Sequence, residues 1–112
     1  MDRLKRYREI VQEILMDYHQ INQKSGSTTE SALCFDEVRD QYLLLLMGWQ
    51  KDERIKSVMI HIRLQNNKIW IEDDWTEDGV ATDLLQKGIT REEIVLAFHP
   101  PQVRQYTEFA LA

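Results

Sequence analysis

The chain has little of several things, and each shortage excludes a class of protein. Among 112 residues there is one cysteine, Cys34, so no intramolecular disulfide can staple the fold and a reducing compartment is expected. In the run Ala32-Leu33-Cys34-Phe35 that cysteine reads as a small buried hydrophobe. The four glycines, at positions 26, 48, 79 and 88, form no phosphate-cradling loop. Basic residues number 14 against 19 acidic ones, and the resulting charge of −5 does not suit a protein that wraps nucleic acid in a broad cationic surface. No apolar stretch approaches the roughly 20 residues that span a bilayer. The basic residues Arg3, Lys5, Arg6 and Arg8 are followed by no apolar core of an export signal. A soluble, cytoplasmic protein with no membrane contact is expected.

What is present reads as one globular domain over residues 1–112, with 43% hydrophobic and 29% charged residues. Residues 2–24 predict a long amphipathic helix, because Leu4, Tyr7, Val11, Ile14, Tyr18 and Ile21 recur at steps of three and four. Such a stripe can pack on the protein's own sheet or pair two chains, and three heptads are short for a coiled coil. Ser25 to Thr29 form a loop. Ala32 to Asp36, Tyr42 to Trp49, Val58 to Leu64 and Lys68 to Glu72 predict strands, and the continuous apolarity after Tyr42 suggests a strand covered on both faces. Asn66 and Asn67 suit a tight turn, since asparagine tolerates positive φ.

After Asp74 the pattern turns helical: Thr76 or Asp78 could cap a helix carrying Val80, Ala81, Leu84 and Leu85, with Gly88 at its end. Thr90 to Glu93 has the form of a capping box, and Ile94 to Phe98 could be helix or strand. Pro100 and Pro101 end that segment, and the apolar tail with Tyr106, Phe109 and Leu111 is expected to dock. The fold class is therefore α+β. A long N-terminal helix packs on an antiparallel meander of about four strands, followed by one or two short C-terminal helices.

Candidate chemistry is sparse. His19, His61 and His99 lie at no zinc-motif spacing, and each reads more simply as a surface or hydrogen-bonded histidine. The acids at Glu72-Asp73-Asp74 and Glu77-Asp78 could serve acid–base chemistry or a cation, but a strand end and a helix N-terminus attract acids anyway. Trp49 and Trp70 fall in strand patterns and are expected in the core. Trp75, in the loop Asp73-Asp74-Trp75-Thr76, reads either as an exposed interface anchor or as a ring folded over the core edge.

Together these residues resemble the XisI family, the fdxN-element excision controlling factors of cyanobacteria. The resemblance runs through Met1-Asp2-Arg3-Leu4, Tyr7-Arg8, Phe35-Asp36, Arg39-Asp40, Tyr42-Leu43-Leu44 and Gly48-Trp49. It continues through Lys68-Ile69-Trp70-Ile71, Asp74, Thr76-Glu77, Gly79, Gly88-Ile89 and Ile94-Val95-Leu96. Its most specific part is Phe98-His99-Pro100-Pro101-Gln102-Val103-Arg104 with Thr107-Glu108-Phe109-Ala110. Where this chain has Trp75, family members often carry glycine.

The resemblance implies a small α+β accessory protein in a DNA rearrangement of heterocyst development. It implies an XisH-like companion and a separate recombinase, and it carries over no catalytic residue and no cofactor. The first expectation is thus a non-enzymatic factor acting through protein contacts, with Trp75, Asp74, Glu77, His61, His99 and Arg104 as candidate surface residues and a homodimer as an open possibility. A second reading is a DNA-binding module with a local patch from Arg3, Lys5, Arg6, Arg8, Arg39, Arg54, Lys56 and Arg63. A third is an enzyme or metal site built on His61, His99 and the acids of residues 72–78.

Overall fold

The computed structural model describes residues 2–112. Helix α1 (Arg3–Lys24) starts where Asp2 accepts the Leu4 N–H at 3.1 Å. Its stripe buries Tyr7, Val11, Ile14 and Leu15. The stripe packs on the protein's own sheet. The strands are β1 (Thr29–Asp36), β2 (Gln41–Gln50), β3 (Glu53–Gln65), β4 (Lys68–Asp74) and β5 (Ile94–Leu96), in spatial order β1-β2-β3-β4-β5. The first four form the expected antiparallel meander. At the β3–β4 turn Asn66 and Asn67 take φ of 53° and 59°, the pairing of positive angles a type I′ hairpin needs.

The sheet has five strands where about four were expected. Ile94 to Leu96 pairs in parallel with Ile69 to Ile71, returning through the crossover that contains α2 (Val80–Gln86). Three residues with both faces covered give no periodicity to read. Gly88 does take the expected left-handed conformation after α2, with φ of 92°. Glu93 accepts both the N–H and the hydroxyl of Thr90, but this box closes only the single 3-10 turn Arg91–Glu93. Pro101, rather than only ending a segment, opens the short helix α3 (Pro101–Arg104), where a missing N–H is tolerated.

The core lies between α1, α2 and one sheet face. Tyr42, Leu44, Ile60, Ile62, Leu64, Ile69 and Ile71 meet Tyr7, Val11, Ile14 and Leu15, and Val80 and Leu84 close it from α2. The tail docks in part: the Ala110 N–H donates to the Ile94 carbonyl at 2.9 Å and Phe109 packs on the core, while Tyr106 and Leu111 stay exposed. No helix among the described residues is long and apolar enough to cross a membrane.

Three sequence expectations fail for one reason, namely that α1 and α2 cover one side of the sheet and leave the outer side of β1 to β3 open. β2 is buried at Tyr42 and Leu44 but only half-buried at Leu43, Leu45 and Met47. Cys34, opposite Leu43, is exposed on that outer side rather than buried. Trp49 is 55% exposed at the β2–β3 hairpin tip, with the Arg54 guanidinium 5.4 Å from its ring. Trp70 is buried as expected.

Candidate functional site

Residues opposite one another across an antiparallel pair share a face. The register therefore places Ala32, Cys34, Leu43, Leu45, Met47, Val58 and His61 together on the side away from α1. β4 pairs with β3 only from Ile60 to Gln65, so β2 and β3 run on beyond it as an arm. That arm holds a groove of about 390 Å³ lined by Leu45, Leu46, Met47, Lys56, Ser57 and Val58. A second hollow of about 360 Å³ shares Leu46, Ser57 and Val58 and is completed by Met59 and Trp75.

Trp75 is held beside the arm by its backbone, whose N–H donates to the Met59 carbonyl at 3.0 Å. Its ring is 78% exposed, which decides between the two readings of this residue. Its φ is not positive; the left-handed residue of the loop is Gly79, at 86°. The tryptophan is thus accommodated without the strain that a glycine-type angle would impose.

The six candidate residues divide. Asp74, Trp75 and Glu77 share one loop, with Glu77 exposed. Asp74 is a scaffold residue: Oδ1 accepts from the Thr76 N–H at 3.0 Å and the Thr76 hydroxyl at 2.6 Å, and Oδ2 accepts from the Val80 N–H at 2.7 Å. It does for α2 what Thr76 or Asp78 was expected to do. His61 lies 2.7 Å from the Gln41 side-chain oxygen and opposite Asp73 on the outer face. His99 stacks at an angle on Phe98, with ring centres 4.6 Å apart. Arg104 ties the tail, donating to the carbonyls of His99, Ala97 and Leu111, and lies over Trp70. No three His, Cys, Asp or Glu side chains among the described residues gather at metal-binding spacing.

The cations do not form one patch. Arg8 pairs with Asp40 at 2.8 Å and Arg39 with Asp36 at 3.2 Å, near the β1–β2 turn. Arg54 and Lys56 stand toward the other end of β2, whose length is about 30 Å at ~3.3 Å per residue. Arg63 lies 3.0 Å from Glu72, an ion pair without hydrogen-bond alignment. Sequence reasoning missed Leu45, Met47 and Val58 as surface residues. For Leu45 and Met47 the signal is the apolar run after Tyr42, which reads as a strand with two covered faces; Val58 shares the alternating pattern of Ile60 in sequence, and the register shift between Leu44 and Leu45 turns it to the opposite face.

The XisI protein family model matches residues 1–111. The crystal structure of the fdxN element excision controlling factor XisI from Anabaena variabilis is 40% identical, with 99% of this chain and 100% of that chain covered and a TM-score of 0.86. An XisI-like protein from the same organism is 34% identical, covering 97% and 99%, with a TM-score of 0.89. No curated protein matches the chain.

Proposed function

The chain belongs to the XisI family, and we propose that it acts as an accessory factor in DNA-element excision by binding an XisH-like companion, with no chemistry of its own. The exposed Trp75 beside the apolar β2–β3 arm carries this reading. A large rigid ring at the rim of an apolar hollow is the usual anchor of a protein interface, and truncating such an anchor typically removes about 2 kcal/mol, or roughly 30-fold in affinity. The companion's role is to bring the recombinase complex. Contact with DNA is indirect, since the cations of this chain are dispersed and several are paired within the fold.

The test is co-purification with an XisH-like protein and titration of the pair. A micromolar or tighter complex is expected, weakened at least tenfold by Trp75→Ala and by Val58→Glu, while duplex DNA alone gives no salt-sensitive binding. Absence of a complex at about 10 µM refutes the reading.

A further inference from the structure

The sheet leaves strand edges open in different ways. The flank of β5 is occupied by the tail, where Ala110 bridges Val95. The part of β3 beyond β4 carries Glu53, Arg54 and Lys56, charges of the kind that keep a further strand from adding. β1 has no such protection. From Ser31 to Phe35 it holds no charge and no proline, and it pairs with β2 without a bulge.

Its outward-facing groups can be identified. The Thr29 N–H donates to the Ser27 hydroxyl at 3.1 Å, and the Thr29 carbonyl accepts from the Asn22 side chain at 3.2 Å. Thr29 therefore turns its main chain away from β2. Direction alternates along an antiparallel ladder, so Ser31, Leu33 and Phe35 also face outward. No side chain among the described residues bonds their N–H or C=O groups.

We propose that this edge docks a second copy of the chain, β1 against β1, antiparallel about a two-fold axis at Leu33. The three residues with outward groups are symmetric about Leu33. In that register Leu33 opposes the partner's Leu33 and Ser31 opposes the partner's Phe35, so every outward N–H meets a carbonyl. Shifting the axis to Ala32 sets Phe35 against the partner's Thr29, whose groups are already bonded.

The side chains agree with the Leu33 axis. Ala32 faces the partner's Cys34, small against small. Glu30 faces the partner's Asp36, but that carboxylate is held by its own turn, accepting from the N–H groups of Val38 and Arg39 and from the Arg39 guanidinium. The axis stands perpendicular to the sheet and leaves both copies of α1 on one side of a ten-stranded sheet. His19, 2.6 Å from the Ser31 hydroxyl, marks the flank of α1 that lies over β1. Met16, one turn earlier and 45% exposed, stands on that flank as the apolar contact between the two helices.

The experiment measures mass in solution by light scattering or sedimentation, from about 1 to about 100 µM. The wild-type chain is expected at twice its 13.4 kDa at the upper concentrations. The double variant Ala32→Glu/Cys34→Glu places like charges directly opposite across the axis, and Ala32→Lys/Cys34→Lys does the same with the other sign. Each alone is expected to be a folded monomer by circular dichroism, and their equimolar mixture a dimer. A wild-type chain that stays monomeric at about 100 µM overturns the proposal. So does a dimer that persists in either charged variant alone.

Discussion

Asp74 and Trp75 are neighbours in sequence, yet Asp74 is bonded into the fold and Trp75 is largely exposed, and substituting each separates the two. Replacing Asp74 with alanine removes the acceptor of three hydrogen bonds, to the Thr76 N–H, the Thr76 hydroxyl and the Val80 N–H. Gly79, the residue preceding α2, supplies no side-chain cap, so nothing else holds the Val80 N–H from a side chain. Val80 and Leu84, both fully buried, depend on α2 being in place. Losing an N-cap lowers stability by about 1 kcal/mol, and bonds to a charged acceptor contribute about 1.5–3 each before water substitutes. Asp74 is partly exposed, so water recovers some of this, and the expected loss is about 2–3 kcal/mol. For a chain near 100 residues that lowers Tm by about 10–15 °C. Trp75→Ala, which removes a largely exposed ring, should change stability by less than about 0.5 kcal/mol. Thermal and urea unfolding followed by circular dichroism reads both, and Asp74→Asn, which keeps one acceptor oxygen, should fall between. The reasoning fails if Asp74→Ala stays within about 0.5 kcal/mol of wild type, or if Trp75→Ala loses as much.

Arg104→Ala should release the tail, since one guanidinium bonds the carbonyls of His99, Ala97 and Leu111 and lies 5.6 Å from the centre of the Trp70 ring. A loss of about 2 kcal/mol and faster amide exchange over residues 97–111 are expected, and unchanged exchange would contradict the clamp. Stability should also fall on the alkaline side. Burial, then the hydrogen bond and charge of Glu93, push Tyr7 up to about 12, and burial followed by Asp40 does the same for Tyr42. Between pH about 10 and about 12 the native chain keeps protons that the unfolded chain has lost, so stability declines as pH rises. Tyr7→Phe should make that decline shallower in urea titrations at successive pH values; an identical slope would refute it.

Much of the fold was legible because its signals are local and periodic. The α1 stripe of Tyr7, Val11 and Ile14, the Asn66–Asn67 turn and the Gly88 cap all express preferences that a few residues decide alone. What was hidden depends on distant chain. β5 is a strand only because β4 lies beside it. Asp74 caps α2 from six residues upstream, with no place in a cap pattern that looks one or three residues away. The outer surface was misjudged because Leu43, Leu45 and Met47 are as apolar as core residues, and one strand cannot say how many of its faces are covered. The candidate surface was legible in part. Trp75 stands out as an aromatic in a polar loop, whereas Arg104 reads as surface because a cation bonded to main-chain carbonyls has no partner in sequence.

The charge of −5 takes on a structural meaning once the acids are placed. Several of them build the scaffold. Asp2 caps α1, Asp40 takes Arg8 and the Tyr42 hydroxyl, and Asp83 and Glu93 receive the hydroxyls of Tyr18 and Tyr7. Glu93 shows the balance: burial pushes its carboxyl up, but bonds from Tyr7 and Thr90 outweigh that and hold it below the usual range. The cations are used in the same way, with Arg8, Arg39, Arg63, Lys87 and Arg91 each within 3.2 Å of a carboxylate. Part of the charge thus holds elements together, including the α1–α2 contact through Glu13 and Lys87. The surfaces proposed to recognise a partner are mainly apolar surface and main chain: the arm beside Trp75, where Lys56 is the one charged lining residue, and the edge of β1 from Ser31 to Phe35. Neither relies chiefly on charge, so both should bind with little dependence on salt. That separates contact with protein from contact with DNA, whose affinity falls by about 0.9 log units per log unit of salt for each phosphate engaged.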